Sequence, residues 1–282
     1  MVTKDMPIAD AADKFVMHLV NRRGSTDTTR ITYTSILREF ARCIGLKTVG
    51  QITYPAIDEV IDRYSRLGYA PKTFKNKVVV IRSFMKYLYA RDCVDFRPER
   101  IEIPRVQENE ANFLSPVEAD KLVRAATSLR DKAIVLTLVR SGLRVSELTE
   151  LRTDDIYERS VLVRCGKGKK PRVTFIDQET EQAIINYLLT KKKTDYLFTN
   201  TSKQIISRQY IARIVKDYAQ KAGIDKKVSP HTLRHTFATN LLQKGARIED
   251  VQPMMGHASI ATTRIYMHFT NDYLHQRYDQ FS

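Results

Sequence analysis

The stretch SPHTLRHTFATNLLQKG, residues 229–245, places two histidines and an arginine within little more than one helical turn. Ser229 followed by Pro230 is typical of a helix start, because serine caps exposed backbone N–H groups and proline is tolerated at the first helical position. His231 and Arg234 then lie three residues apart, on one face of the N-terminal end of the helix. Unpaired N–H groups and the positive end of the helix dipole favour an anion there. The pattern therefore predicts half of a phosphate site.

His231 and His235 are four residues apart, which is also a spacing of metal ligands on helices. The zinc-protease pattern requires a glutamate after the first histidine, but Thr232 stands there and no third ligand is obvious nearby. We therefore expect no metal at this helix. Taken alone, the two histidines could also serve only to pack and cap the helix.

The chain has 282 residues, with 47 Lys and Arg against 32 Asp and Glu, a net charge of +15. This excess favours a polyanionic partner such as nucleic acid, although a generally solvated basic surface is the alternative. Neither a signal peptide nor an apolar run of about 18 residues is present, which predicts a cytoplasmic protein without membrane contact. Cys43, Cys93 and Cys165 are too far apart in sequence to indicate a disulfide framework or a CxxC metal pair.

Apolar residues recur at helical spacing in the N-terminal part, which predicts helices over 8–20, 27–43, 55–67 and 72–90. A charged stretch bracketed by prolines, residues 97–112, predicts a domain boundary. We expect one domain over 1–104, a linker over 105–112 and a second domain over 113–282.

The second domain begins with Ser115-Pro116-Val117-Glu118, which has the pattern of a capping box. Residues 160–176 alternate on either side of Gly166-Lys167-Gly168 and predict a β-hairpin with a basic tip. Helical spacing predicts the remaining elements: 116–127, 130–141, 145–151, 178–190, 208–222, 230–243, 247–254 and 259–268. The fold class is mainly α with a small β-hairpin or sheet (α+β).

Two further stretches carry residues suited to chemistry. SGLRVSELTEL, residues 141–151, places Arg144 and Glu147 three apart at a helix start, where an ordinary surface ion pair is the alternative reading. MMGHASIATTRIYMHF, residues 254–269, brings His257 and, nine residues later, Tyr266. Spacing alone does not distinguish Tyr266 from a tyrosine that packs in the core.

The pieces GLRVSEL, the GKG hairpin, HTLRHTFAT and GHASIATTRIY, in this order and at these intervals, resemble the catalytic signature of the tyrosine recombinase family. The resemblance covers residues from about 113 to 270. The stretch TDTTRITYTSILREFARCIG in the helical N-terminal part also resembles the core-binding, SAM-like domain of that family. The first domain is therefore expected to bind DNA and the second to be catalytic, with a terminal helix that docks on another subunit.

The resemblance implies a role for each matching residue. Arg144 and Arg234 would clamp the phosphate, His231 and His257 would donate hydrogen bonds to it, and Tyr266 would be the nucleophile. Lys167 matches the hairpin lysine, although Lys169 is only two residues away and competes for that assignment. Glu147 falls on the acidic position that orients site groups, and His235 has a supporting or structural role. Further DNA contacts are expected at these residues: Arg30, Thr32, Lys75, Lys77, Lys169, Lys170 and Arg172.

The implied reaction cuts and rejoins double-stranded DNA at a specific site through a 3′-phosphotyrosyl intermediate, with no cofactor and no metal. The implied working form is a tetramer on two DNA duplexes, assembled through the C-terminal helix, although that tail could instead pack on its own domain. The two-domain layout resembles the Xer-like subgroup, which resolves chromosome or plasmid dimers, with a partner recombinase or DNA translocase possible. The alternatives are a mobile-element integrase, a DNA-binding protein without catalysis on the same scaffold, and a topoisomerase-like relaxer.

Overall fold

The computed structural model describes residues 1–23, 27–106, 112–164 and 171–256. The chain divides into two compact units, Met1–Asn109 and Glu110–Ser282. Each unit has its own apolar core. Most described residues are helical, and the strands form a small antiparallel sheet in the second unit, so the predicted fold class is confirmed.

The described part of the first unit contains four α-helices, which agree with the four predicted from apolar spacing. The largest difference is at the end of the first helix, which continues to residue 23 instead of 20. Phe15, Phe40 and Phe84 pack together at the centre, with the rings of Phe15 and Phe84 5.5 Å apart. The helices are α1 (Ile8–Arg23), α2 (Asp27–Ile44), α3 (Tyr54–Arg66) and α4 (Pro71–Tyr89).

The buried face of α4 has the spacing that the sequence predicts. Val78, Ile81, Met85 and Leu88 are fully buried, and Phe74 packs against the same core from a partly exposed position. Burying each such side chain contributes about 1.5–3 kcal/mol relative to leaving it in water. Packing of this stripe, more than helix propensity, therefore holds α4 in the unit.

The described part of the second unit contains seven α-helices. The first begins with the predicted capping box: Ser115 Oγ accepts from the Glu118 N–H at 3.2 Å, and Glu118 Oε2 accepts from the Ser115 N–H at 2.7 Å. The helices are α5 (Pro116–Ala125), α6 (Leu129–Ser141), α7 (Val145–Glu150), α8 (Gln178–Thr190), α9 (Arg208–Lys221), α10 (Pro230–Gln243) and α11 (Ile248–Met255). The predicted helix over 259–268 lies outside the described residues.

Helix α6 is the centre of the second unit. Its residues 133–139 are all buried, and it packs against α5, α8, α9, α10 and the sheet. The helix ends at Gly142, which has the left-handed φ of +66° that glycine adopts without steric cost. The C-terminal end of this buried helix is therefore followed directly by the short loop before α7.

The sheet consists of β1 (Ile156–Tyr157), β2 (Ser160–Val163) and β3 (Arg172–Phe175), paired antiparallel in that order. The pairing of β2 with β3 confirms the predicted hairpin, and its tip, residues 165–170, lies outside the described residues. Strand β1 was missed because two residues are too few to show alternation. Val163 lies opposite Arg172, so Arg172 is at the end of β3 next to the tip.

We predict that Gly142→Ala destabilises the protein more than Gly223→Ala. Both glycines have φ of +66°, so both substitutions carry the cost of a left-handed alanine, about 1–2 kcal/mol. A Cβ at Gly142 would also lie 2.4 Å from Phe237 Cδ1, whereas one at Gly223 would have nothing within 4 Å. Overpacking of this kind adds about 1–3 kcal/mol. Urea unfolding followed by circular dichroism measures both losses, and equal losses would contradict the packing.

Candidate active site

The site is built where the N-terminal ends of α7 and α10 meet the C-terminal ends of α6 and α11. Helix α10 starts as predicted, with Ser229 Oγ accepting from the Thr232 N–H at 3.2 Å and Pro230 in the first turn. His231 is exposed on that turn, while Arg234, one turn further on, is only 4% exposed. The same helix end therefore offers one histidine to solvent and buries one arginine.

Arg234 is held by two backbone carbonyls from different helices. Nη1 donates to the carbonyl of Gly142, at the end of α6, and Nη2 donates to the carbonyl of Met255, at the end of α11. An unpaired buried charge costs several kcal/mol, so these helix ends supply the acceptors that make its burial possible.

Arg144 is the N-cap residue of α7, and Glu147 lies on the first turn of that helix. The Arg144 backbone N–H donates to Glu147 Oε2 at 2.7 Å, and Arg144 Nη1 donates to Oε1 at 2.8 Å. Arg144 Nη2 also donates to the carbonyl of Gly256 at 3.0 Å. The pair therefore differs from an ordinary surface ion pair, because it is partly buried and is joined to the end of a distant helix.

Glu147 accepts hydrogen bonds from two arginines. Arg172 Nη1 donates to Oε1 at 2.8 Å and Arg172 Nη2 donates to Oε2 at 2.7 Å, in addition to the bonds from Arg144. Burial alone would raise the pKa of Glu147, but the hydrogen bonds and charges of Arg172 and Arg144 outweigh it and lower the pKa to about 2. The carboxylate is therefore ionised at neutral pH.

Arg172 is not placed as the sequence predicts. We expected a DNA contact beside the hairpin tip, but its side chain is only 10% exposed and both of its terminal nitrogens bind Glu147. Its third nitrogen, Nε, donates to the carbonyl of Met254 at 2.9 Å. Each nitrogen of this guanidinium makes a hydrogen bond inside the protein and the side chain is largely buried, which argues against the predicted DNA contact.

Three arginines thus bind three successive carbonyls at the end of α11. Arg172 binds Met254, Arg234 binds Met255 and Arg144 binds Gly256. The last carbonyls of a helix have no partner within it and lie at its negative end, so cations are favoured there. Arg144 and Arg234 are therefore held by neighbouring backbone carbonyls.

The close approach of Arg172 to the end of α11 favours glycine at position 256. Its φ is +61°, and a Cβ there would lie 2.9 Å from Arg172 Nε and 3.0 Å from Arg172 Cζ. Glycine both ends the helix and leaves room for the Arg172 side chain to pass.

The two histidines of α10 lie side by side, with ring centroids 6.4 Å apart. His235 is half-buried, and burial, together with the charges of His231 and Arg234, lowers its pKa below the usual range. His235 therefore favours the neutral form, which fits the supporting role expected for it.

Several predicted site residues lie outside the described residues. They are Lys167, Lys169 and Lys170 in the hairpin tip, and His257 and Tyr266 after α11. The structure therefore brings together Arg144, Glu147 and Arg234, with His231 on the first turn of the helix that carries Arg234.

The DNA contacts predicted in the first unit have different environments. Arg30 on α2 is exposed and lines a shallow surface cavity together with Arg38 and Arg42, which the sequence analysis did not select. Arg38 and Arg42 are four residues apart, so they lie on the same face of a helix, and this spacing is the signal that could have identified them. Thr32 and Lys75 are half-buried.

Lys77 is a correction to the predicted DNA contacts. It is 6% exposed and forms an ion pair with Glu39, beneath the rings of Tyr64 and Tyr69 at 4.9 and 4.4 Å from their centroids. Tyr69 donates to the other oxygen of Glu39 at 2.8 Å. The lysine is buried because it lies on the apolar face of α4, three residues after Phe74, so it stabilises the unit internally.

Among the helices that the structure describes, none has the length and hydropathy needed to cross a membrane. The model of the phage integrase family matches residues 112–272, and the model of the phage integrase N-terminal SAM-like domain matches residues 12–92. The chain is 34% identical to the tyrosine recombinase XerC of Thermodesulfovibrio yellowstonii, over 94% of each chain. It is also 34% identical to the tyrosine recombinase XerD of Halalkalibacterium halodurans, over 92% of this chain and 93% of that one.

Among solved structures, the Tn1549 transposon integrase, determined in complex with a circular intermediate DNA, has a TM-score of 0.81. Its identity is 20%, over 99% of this chain and all of that one, so it shows a shared fold. The chain belongs to the phage integrase family, as a Xer-like tyrosine recombinase. The resemblance stated from the motifs is confirmed, and with it the prediction of an enzyme that cleaves DNA and exchanges strands.

We predict that the stabilisation due to Glu147 is lost in acid. Its pKa is about 2 in the folded protein, below its ordinary value of 4.5. A group with a depressed folded-state pKa stabilises fully above its unfolded pKa, and this contribution disappears as the pH falls towards the folded pKa. The difference in unfolding free energy between the wild-type protein and Glu147→Gln should therefore be constant from pH 7 to about 5.5 and shrink between about pH 4.5 and 2.

Unfolding in urea at a series of pH values measures this difference. Glu150→Gln, which removes an exposed carboxylate from the same helix, is the matched control for the loss of one negative charge. A Glu147 difference that stays constant down to pH 3 would contradict the role of the arginines.

Proposed function

We propose that the protein is a site-specific recombinase that acts on double-stranded DNA, with Arg144, Arg234, His231, His257, Lys167 and Tyr266 as its catalytic residues. In this proposal residues 1–104 form a core-binding domain, residues 105–112 a linker, and residues 113–282 the catalytic domain. Glu147 and His235 support the site without reacting.

The observation that carries the proposal is the pairing of Arg144 and Arg234 on adjacent carbonyls of α11. Guanidinium donors suit the non-bridging oxygens of a phosphodiester, and two arginines held on neighbouring carbonyls both remain charged at any relevant pH. Negative charge grows on those oxygens as the tyrosine attacks. Donors already fixed in place stabilise that charge without reorganisation, which is usually the largest catalytic contribution.

The reaction also moves two protons. Tyr266 Oη attacks the phosphorus, forms the tyrosyl–phosphate bond and passes its proton to His231, because a free tyrosine has a pKa of about 10 and is mostly protonated. The bond from phosphorus to the 5′ oxygen breaks, and Lys167 protonates the departing oxygen. Attack by a 5′ hydroxyl of another strand reverses these steps and releases the tyrosine. The exposed position of His231 supports its access to DNA.

The DNA partner is supported by the charge of +15 and by the exposed arginines of α2. The similar Tn1549 integrase was solved with DNA. By analogy, Arg30, Thr32 and Lys75 remain candidate contacts in the first unit, and Lys169 and Lys170 in the second.

The relatives named as tyrosine recombinases XerC and XerD support Xer-like recombination. In this proposal the enzyme resolves chromosome or plasmid dimers as a tetramer on two duplexes. The enzyme would act in the cytoplasm, where the chromosome is found.

We predict that Tyr266→Phe abolishes covalent attachment to DNA and leaves DNA binding nearly intact, because only the attacking oxygen is removed. The protein is mixed with fragmented host DNA and quenched with detergent, and the covalently attached fragments are sequenced. Tyr273→Phe, a nearby tyrosine in the same tail, is the matched control and should keep wild-type attachment.

One short sequence enriched by the wild-type protein and lost with Tyr266→Phe would support the proposal and reveal the DNA site. Attachment by Tyr266→Phe would show that another residue is the nucleophile. Adducts without a common sequence would favour a relaxing enzyme, and two unlike attachment sites would favour a mobile-element integrase.

We predict that Arg144→Lys lowers the rate of adduct formation at saturating DNA by about 10²–10³-fold, the loss typical of removing one preorganised donor. Lysine keeps the charge but cannot hold Glu147, the Gly256 carbonyl and a phosphate together. Single-turnover cleavage of a nicked oligonucleotide with the captured site measures this rate. Arg213→Lys is the control, because Arg213 is exposed on α9 over Tyr210. Equal rates for both variants would exclude Arg144 from the phosphate clamp.

A further inference from the structure

All three side-chain nitrogens of Arg172 donate hydrogen bonds within the protein. Its two terminal nitrogens face the two oxygens of Glu147, at 2.8 and 2.7 Å, and Nε binds the Met254 carbonyl at 2.9 Å. The side chain is 10% exposed. These bonds indicate that the guanidinium of Arg172 acts on other residues of the site.

We propose that Arg172 is a positioning residue for DNA cleavage, which fixes the carboxylate of Glu147, and through it Arg144, and ties the end of α11 to β3. This inference rests on the proposed role of Arg144 as a phosphate clamp. It assigns Arg172 no contact with the reacting phosphate.

The link from Arg172 to Arg144 passes through a shared carboxylate. Oε1 of Glu147 accepts from Nη1 of both arginines, and Oε2 accepts from Arg172 Nη2 and from the Arg144 backbone N–H. Two parallel bonds from one guanidinium fix the plane of a carboxylate. Without Arg172 the carboxylate keeps only its bonds to Arg144 and can rotate, and the Arg144 side chain then loses its fixed direction.

The link to α11 passes through the backbone. Arg172 is the first residue of β3, the strand that follows the hairpin tip. It binds the Met254 carbonyl, the first of the three successive carbonyls that each bind one arginine of the site. The chain continues from Gly256 directly to the proposed His257. Gly256 lacks a Cβ at the place where one would collide with Arg172, so the packing of this helix end is built around that side chain.

The same geometry argues against Arg172 as a phosphate contact. A lysine or arginine that neutralises a phosphate releases counterions, and its loss lowers the salt dependence of DNA binding. Arg172 already has a carboxylate on one side and a carbonyl on the other. Measurements of DNA affinity and of cleavage rate therefore distinguish a positioning residue, which affects cleavage, from a phosphate contact, which affects binding.

The test uses the full chain, a nicked oligonucleotide with the captured site, and the variants Arg172→Gln and Arg172→Lys. We expect Arg172→Gln to lower the cleavage rate at saturating DNA by about 100-fold, the loss typical of a displacement of about 1 Å at a reacting centre. The Kd for DNA should change by less than about threefold, with the same slope of log Kd against log salt concentration.

Arg172→Lys should not restore the rate, since one ammonium cannot replace a fork that binds two oxygens and a carbonyl together. This variant keeps the charge, so it carries the test if Arg172→Gln does not fold. The matched control is Arg159→Gln, an exposed arginine in the turn between β1 and β2, which should alter neither the rate nor the Kd.

A double-mutant cycle with Glu147→Gln tests the path of the effect. If Arg172 acts through Glu147, the double variant should cleave within about threefold of the slower single variant, instead of showing the product of both losses. A purely structural destabilisation by Arg172 would give the product.

Three results would overturn the inference alone while the wild-type protein cleaves. They are wild-type cleavage by Arg172→Gln, multiplicative losses in the cycle, and a raised Kd with a salt slope lower by about one, which marks a phosphate contact. A wild-type protein that forms no adduct would instead overturn both the inference and the proposed function.

Discussion

The contact on which the site depends is between three guanidinium groups and the carbonyls of Met254, Met255 and Gly256, at the C-terminal end of α11. A helix end leaves these carbonyls without internal partners, and like charges as close as Arg144, Arg172 and Arg234 repel each other. The two groups stabilise each other, because the unpaired carbonyls accept hydrogen bonds from the arginines and the negative end of the helix offsets the positive charge of the arginines. Glu147 completes the arrangement, with its carboxylate between Arg144 and Arg172.

This arrangement holds Arg144, Glu147, Arg172 and Arg234 in place without DNA. Arg234 is almost completely buried, and it can remain so because the ends of α6 and α11 both direct carbonyls at it. Left-handed glycines at both ends, Gly142 and Gly256, let the chain leave each helix at the point where an arginine must approach. The arginines that would bind phosphate are therefore held by the fold itself, and the tasks of folding and of organising the site fall on the same hydrogen bonds.

Local sequence patterns predicted the helices, the hairpin and the caps, because each depends on neighbours within a turn or two. Strand β1 was missed because it is too short to alternate. Lys77 and Arg172, two predicted DNA contacts that the structure buries, have partners distant in sequence: Glu39 is 38 residues from Lys77, and Met254 is 82 residues from Arg172. Composition counts such residues as surface charge, and only the folded chain shows that they are buried in ion pairs.

Helix α6 joins the interior of the second unit to its site. The helix is buried along nearly its whole length, and it ends in the carbonyl that binds Arg234. Close-packed interiors transmit small changes of volume, so a substitution in the middle of α6 is felt at Gly142. Substitutions on the exposed side of α8, where Ile185 and Leu189 face solvent, should therefore disturb the site less than substitutions in α6. Because α6 is both the central core helix and the source of the carbonyl that binds Arg234, substitutions in the core of this unit should also change the rate of catalysis.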